Sequence, residues 1–156
     1  MKIIGCLVVI TVSVYIGYWL SLAEGKKTVV CEEIYAFLRS LERGIERRIP
    51  LKEIISDFHT SDGRKYLSGD SVKEITDCLT RLINEGICTE GCRICLDVIS
   101  SVGKSPDGES ECKSCSEAAM RVSEILCENR SGWRKKRELY PKLGLVLGIL
   151  VCITVI

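Results

Sequence analysis

The sequence contains few of the residues from which catalytic sites are built. It has one histidine, three prolines and two phenylalanines among 156 residues. The histidine, His59, stands in a polar linker, away from any nucleophile or metal motif. Gly103-Lys104-Ser105 lacks the upstream glycine and the preceding strand that a phosphate loop requires. The sequence therefore predicts no catalytic residues, no cofactor-binding residues and no enzyme.

An excess of charge of one sign is also missing. The 22 Lys and Arg residues nearly balance the 21 Asp and Glu residues, and the formal net charge is +1. This balance gives no indication of a nucleic acid or an acidic substrate as a partner. Alternation of polar and apolar residues is absent over strand lengths, whereas helical spacing recurs, and this pattern predicts an all-α fold.

Charge is absent altogether near both ends of the chain. The first uncharged run, Ile3 to Ala23, is as long as the ~20 residues that a membrane-spanning helix needs. The second, Leu143 to Ile156, covers only about 21 Å of a ~30 Å hydrocarbon core, but residues from Leu139 lengthen it if Lys142 snorkels. We predict an N-terminal transmembrane helix at 1–23, a helical domain at 24–138 and a C-terminal transmembrane helix at 139–156.

Basic residues flank both apolar runs on the side of the central domain. Lys26 and Lys27 follow the first run, and four consecutive basic residues, 134–137, precede the second. The positive-inside rule then places the central domain in the cytoplasm.

A secreted protein is the alternative. Ser21-Leu22-Ala23 resembles a signal-peptide cleavage site, and the segment after Ser131-Gly132 resembles a lipid-anchor signal. Eight cysteines would remain between these sites, an even number suited to a disulfide-rich helical protein.

The central domain shows five apolar stripes with helical spacing. They predict helices at Thr28–Arg48, from Pro50 to the linker at Thr60, from a Ser71 cap to Gly86, at Thr89–Val102, and from a Ser105 cap to about Asn129.

The cysteines allow three interpretations. Two Cys-x-x-Cys pairs have the spacing of a four-thiolate zinc site, and a cytoplasmic compartment would keep them reduced; the four residues are Cys92, Cys95, Cys112 and Cys115. Each pair also continues the apolar stripe of its helix, which favours inert core thiols. Zinc in a cytoplasmic membrane scaffold and redox exchange remain as the alternatives.

Two further features predict contacts with other molecules. A basic strip lies on the first helix opposite its apolar stripe and is the candidate partner-binding surface, formed by Arg39, Arg43, Arg47 and Arg48. Gly144 and Gly148 form a Gly-x-x-x-Gly motif that would permit close self-association in a membrane.

Three stretches carry a family pattern. Leu38 to Ile54 contains Leu41-Glu42-Arg43-Gly44-Ile45 followed by Ile49-Pro50-Leu51-Lys52-Glu53. Val98 to Asp107 contains Val102-Gly103, which closes a helix before a short polar turn, and the stretch from Tyr140 to Gly148 begins Tyr140-Pro141-Lys142-Leu143-Gly144. With these stretches the chain resembles the stage III sporulation protein AB family of endospore-forming bacteria.

The resemblance implies a non-enzymatic protein of the mother-cell membrane. Its cytoplasmic helical bundle would be similar to the F-type platform domain of type II secretion systems. The implied partners are a companion sporulation ATPase and other proteins of the channel between mother cell and forespore.

The basic flanks of both apolar runs predict the topology. A reporter fused after Ile156 should lie outside the cytoplasm, and thiol reagents that do not cross the membrane should miss residues 88–127 in intact cells. External labelling of those thiols, or a mature chain beginning at Glu24, would instead support the secreted protein.

Overall fold

The computed structural model describes residues 2–60, 65–67, 69, 71–102 and 108–155. These residues form five helices: α1 (Lys2–Glu46), α2 (Leu51–Thr60), α3 (Val72–Asn84), α4 (Thr89–Ser101) and α5 (Gly108–Val155). Because no strand occurs within the described ranges, the prediction of an all-α fold is confirmed.

Packing divides the chain into two compact units. One, which we call the helix pair, comprises Met1–Lys26 and Glu128–Ile156, and the other, the core domain, comprises Lys27–Cys127. The boundaries predicted for the membrane segments, after residue 23 and before residue 139, stay predictions, since compact packing does not report where a membrane begins.

The helices α1 and α5 are longer than the sequence pattern predicted. Separate helices beginning at Thr28 and ending near Asn129 were expected, but α1 and α5 run through both positions. A single glycine inside a helix, such as Gly25 or Gly132, costs only about 1 kcal/mol and does not break it. Pro141 also lies inside α5, where it removes one backbone hydrogen bond.

The end of α1 is a Schellman motif with arginine in the glycine position. Arg48 has a φ of 56°. Its N–H donates to Ile45 O at 3.0 Å, and the Ile49 N–H donates to Gly44 O at 2.9 Å. Pro50 then begins the next helix, as predicted, because its carbonyl accepts the first N–H groups of α2.

The start and stop signals of α3 are confirmed. Ser71 Oγ accepts the Glu74 N–H at 3.3 Å, which is the predicted N-cap. Gly86, with a φ of 69°, forms a second Schellman motif in which the Ile87 N–H donates to Leu82 O at 2.9 Å. The Ser105 cap predicted for α5 lies outside the described residues.

The core domain buries most of the predicted apolar stripes, although Val72 at the start of α3 is exposed. Phe37 of α1 meets Phe58 of α2 edge to face, with ring centroids 4.9 Å apart. The largest fully buried side chains around them are Ile34, Leu38, Leu41, Ile55, Leu67, Ile75, Leu79, Leu82, Val30, Val122 and Cys31.

In the helix pair, glycines let two antiparallel segments approach closely. A Cβ on Gly17 would lie 2.7 Å from Tyr140 O, and a Cβ on Gly144 would lie 2.6 Å from Ser13 O. Gly148 packs on Ile10 in the same way. Gly144 and Gly148 therefore contact α1 of their own chain, and the predicted self-association through them stays a prediction.

One helical segment among the described residues is long and apolar enough to cross a membrane. It lies within Val8–Glu46, and 12% of its most apolar window is buried. A signal sequence near an N-terminus has a similar length and composition. The second predicted span, 139–156, stays a prediction, because its last residues include side chains outside the described part of the chain.

A buried carboxylate joins α1 to the segment that precedes α3. Glu33 is only 7% exposed. Its two carboxylate oxygens accept the backbone N–H groups of Lys65, Tyr66 and Leu67 at 2.9, 2.9 and 2.8 Å. Hydrogen bonds to a charged acceptor contribute ~1.5–3 kcal/mol each, more than neutral ones. This clamp therefore fixes 65–67 against α1 and places Leu67 in the core.

Glu33→Ala should lower the free energy of unfolding by about 3–5 kcal/mol, because three backbone donors lose their acceptor. Glu33→Gln, which keeps one acceptor oxygen, should cost about 1–3 kcal/mol. Denaturant titration of the full chain in detergent measures both. The control is Glu124→Ala at an exposed position, whose free energy of unfolding should stay within ~0.5 kcal/mol of wild type. Equal losses of stability in Glu33→Ala and in the control would contradict the clamp.

Candidate functional site

The four arginines predicted to form one basic strip occupy different environments. Arg39 is half-buried on α1, and Arg43 is exposed one turn further on. Arg47 and Arg48 are exposed in the turn that follows Glu46. The strip is thus split between the last turns of α1 and its C-terminal cap.

Arg39 is engaged within its own helix. Its Nη1 donates to Glu42 Oε2 at 2.7 Å, and its Nε donates to Tyr35 OH at 3.3 Å. The hydrogen bonds to Tyr35 and Glu42 raise the pKa of the Arg39 guanidinium. Partial burial alone would raise the pKa of the Glu42 carboxyl, but the hydrogen bonds from Arg39 and Ser116 and the charge of Arg39 outweigh it and lower that pKa. Arg39 therefore presents less of its hydrogen-bonding capacity to a partner than the sequence suggested.

Arg43 and Arg47 border a groove of about 220 Å³ on the core domain. The Arg43 Nε donates to Arg39 O at 3.1 Å, which holds the side chain along the helix. Ile54 of α2 lies against Gly44, where any side chain would overlap Ile54 Cδ1. The groove is lined by Ser40, Arg43, Gly44, Arg47, Ile49, Ile54 and Asp57. It combines two cations and the carboxylate of Asp57 with an aliphatic floor.

Three of the four cysteines of the Cys-x-x-Cys pairs are buried in the core. Cys92, Cys95 and Cys115 are each 0% exposed. Cys112 is half-buried instead, and its Sγ lies 3.8 Å from Glu46 Oε1. Within the described ranges, no group of three or more His, Cys, Asp or Glu side chains is arranged to hold a metal ion. The structure therefore does not gather the four thiolates that the spacing allows.

The buried thiols behave as small apolar groups with a weak donor. Burial raises the pKa of Cys92 to about 12 and that of Cys115 to about 11. Burial raises the pKa of Cys95 as well. Cys92 Sγ lies 3.6 Å from Ile87 O and donates to it. The thiolate is the reactive form of cysteine, and burial in an apolar core disfavours it.

Cys31 and Cys88 form a further thiol pair that the spacing did not indicate. The hydrogen bond to the Cys88 thiol, together with burial, raises the pKa of Cys31. The same hydrogen bond and the Gly91 N–H lower the pKa of Cys88 against the effect of burial. Cys88 has a φ of 48° and precedes α4 as its N-cap residue. Its Sγ lies beside Gly91 in the first turn of α4, where a Cβ would be 2.8 Å away.

The sequence analysis did not predict the roles of some other residues. Glu33 lies on the apolar stripe between Val30 and Phe37, and an acid at a core position could have indicated a buried partner. Trp133 Nε1 donates to Ser21 O at 3.4 Å within the helix pair. The backbone of His59 belongs to α2, so the linker position predicted for it was wrong.

The match to a known family extends over almost all of the chain. The sequence profile of the stage III sporulation protein AB family matches residues 2–156. The chain belongs to this family. The family has a role in stage III of sporulation and is not a known enzyme family. A search of curated proteins gave no match. A search of solved structures gave none either.

The raised thiol pKa values predict that alkali destabilises the fold. Unfolded thiols ionise near pH ~8.5, whereas the buried thiols keep their protons to about 11 or above. The unfolded chain therefore binds fewer protons between these values. Stability is fully present below about pH 8.5 and falls as the pH rises, by up to ~1.4 kcal/mol per pH unit for each such thiol.

Denaturant titrations of the full chain in detergent at increasing pH measure this slope. Replacing Cys95 and Cys115 by Ala should flatten it, and the matched control is the exposed Cys127→Ala. Stoichiometric zinc in the purified wild-type protein, with unfolding on chelation, would contradict the assignment of the thiols to the core.

Proposed function

We propose that this protein is a non-enzymatic membrane platform of the channel between mother cell and forespore, and that its core domain binds a secretion-type ATPase. The observation that carries the proposal is the family match over residues 2–156. Sporulation is the established role of the family; the platform and the ATPase partner are our extension of it.

The apolar surface of the helix pair supports a membrane location. Large apolar side chains are exposed along both segments, including Val12, Ile16, Leu20, Leu139, Leu143, Leu147, Leu150 and Ile153. Surfaces of this kind mark a membrane or protein interface in a folded chain. We therefore propose two passes through the membrane, with the core domain in the cytoplasm of the mother cell.

The groove beside Arg43 and Arg47 is the surface on which we propose that the ATPase docks. Arg39 is engaged by Glu42 and Tyr35. The exposed cations next to the groove floor are therefore Arg43 and Arg47. Two guanidinium groups above an aliphatic floor fit a partner segment that carries acidic residues next to an apolar one.

Reversing both charges, with Arg43→Glu and Arg47→Glu, should leave the fold intact. The expected loss of stability is ~1 kcal/mol or less, because an acid in the last helical turn is only mildly unfavourable. The variant should nevertheless recover at least tenfold less ATPase from sporulating cells, since truncating or reversing a central interface charge costs ~2–5 kcal/mol of binding. It should also arrest spore development after engulfment.

A matched control reverses the same amount of charge elsewhere, with Arg93→Glu and Lys113→Glu on the exposed faces of α4 and α5. This control should sporulate and bind normally. Normal partner recovery by the Arg43/Arg47 variant would exclude the groove, and normal sporulation after complete deletion of the protein would exclude the platform role itself.

A further inference from the structure

The helix pair contains a cavity of about 370 Å³ between its two segments. It is lined by Tyr18, Ser21, Leu22, Gly25, Trp133, Arg137 and Pro141. Its volume falls within the ~300–1,000 Å³ range of small-molecule sites. None of the features discussed above uses this cavity.

The wall of the cavity is held in place by Trp133. The indole Nε1 donates to Ser21 O at 3.4 Å. The ring lies against Gly25, where a Cβ would be 3.3 Å from Nε1, so a larger residue would press on the indole. The Arg137 guanidinium carbon lies 5.4 Å from the centroid of the Trp133 ring, within the range of a cation–π interaction. The cavity thus has a positioned cation on one wall.

Pro141 interrupts the backbone hydrogen bonds of α5 beside the cavity. In a regular helix the N–H of residue 141 would donate to the carbonyl of Arg137, four residues earlier. Proline has no N–H, and the Arg137 carbonyl therefore lacks its helical donor. Arg137 brings a guanidinium for an anion to the cavity, and Tyr18 and Ser21 line the same cavity with hydroxyl groups.

The surroundings of the cavity are those of a membrane interface. Tyr18 and Trp133 line it, and exposed basic residues follow Trp133 on α5. Exposed apolar side chains lie next to it, Leu20 and Leu22 on α1 and Leu139 and Leu143 on α5. A ligand that suits this arrangement has an anionic head with a hydrogen-bond donor and an apolar tail.

We infer that this cavity binds the headgroup of an anionic phospholipid that carries hydroxyl groups, of the phosphatidylglycerol type. Arg137 contacts the phosphate, the hydroxyl groups of Tyr18 and Ser21 bind the headgroup hydroxyls, and the acyl chains lie along the apolar faces of the helix pair. The inference rests on the membrane location proposed above. A bound lipid of this kind would stabilise the pairing of the two segments at the membrane surface.

Lipid selectivity at Trp133 tests the inference. In the full chain with Trp19→Phe, Trp133 is the only tryptophan and reports its nearest lipids. The protein is reconstituted in mixed phosphatidylcholine and phosphatidylglycerol vesicles, with bromine near the glycerol end of the acyl chains of one lipid or the other. Brominated phosphatidylglycerol should quench Trp133 at a roughly fivefold lower mole fraction than brominated phosphatidylcholine, as expected when one interfacial cation contributes about 1 kcal/mol.

Charge variants separate this site from general attraction to the membrane. Arg137→Gln should abolish the preference, whereas Arg137→Lys, which keeps the charge and provides a check on folding, should retain most of it. Lys135→Gln removes the same charge from an exposed position outside the cavity and should keep the preference. An equal loss in Lys135→Gln would overturn the inference.

Three further outcomes distinguish the possible failures. If excess inorganic phosphate removes the preference, the cavity binds a free anion and the lipid assignment is wrong. If both brominated lipids quench Trp133 equally, the chain enters the membrane but this inference fails. If neither quenches, the membrane location itself is wrong.

Discussion

The fold of the core domain depends on the hydrogen bonds that the buried carboxylate of Glu33 accepts. Glu33 accepts three consecutive backbone N–H groups from 65–67, and this concave set of donors would be costly to bury without an acceptor. The clamp brings a segment without helical structure against the middle of α1. Leu67 consequently reaches the core at 1% exposure, and the Tyr66 carbonyl accepts the Cys78 thiol of α3 at 2.9 Å. The position of α3 relative to α1 follows from these contacts.

Cysteine suits this core because it is small and carries a weak donor. Cys31 Sγ lies 3.7 Å from Val122 O of α5, and Cys78 and Cys92 each donate to a carbonyl of the segments that flank α3. Leucine in these places would leave the carbonyls without this contact, whereas serine would bury a stronger polar group. Cys31 therefore joins α1 to α5, and Cys78 and Cys92 join their helices to neighbouring turns, while the interior remains apolar.

The arginines of the predicted basic strip divide into those with a structural role and those that are accessible to a partner. Arg39 and Glu42 neutralise each other on one side of α1. Arg48 occupies the left-handed position of the helix cap, and its backbone N–H donates a hydrogen bond that closes the turn. Arg43 and Arg47 remain beside the groove against α2. The proposed docking surface is therefore defined by the helix cap as much as by charge, because the turn at Arg48 places Ile49 and Ile54 in the same groove as the two arginines.

Local rules determined the helical class, the Ser71 cap, the stop at Gly86 and the start at Pro50, since periodicity, capping hydrogen bonds and proline geometry act within a few residues. They also indicated that Cys92, Cys95 and Cys115 face the core, because each continues an apolar stripe. The four-thiolate zinc alternative could be tested only with helices placed in space, since spacing along a chain does not state whether sulfurs converge. Only the tertiary structure paired Glu33 with 65–67, Cys31 with Cys88 and Trp133 with Ser21, partners that are 32 to 112 residues apart. No local preference encodes such pairs, because their energies arise when burial removes water from groups that the chain has brought together.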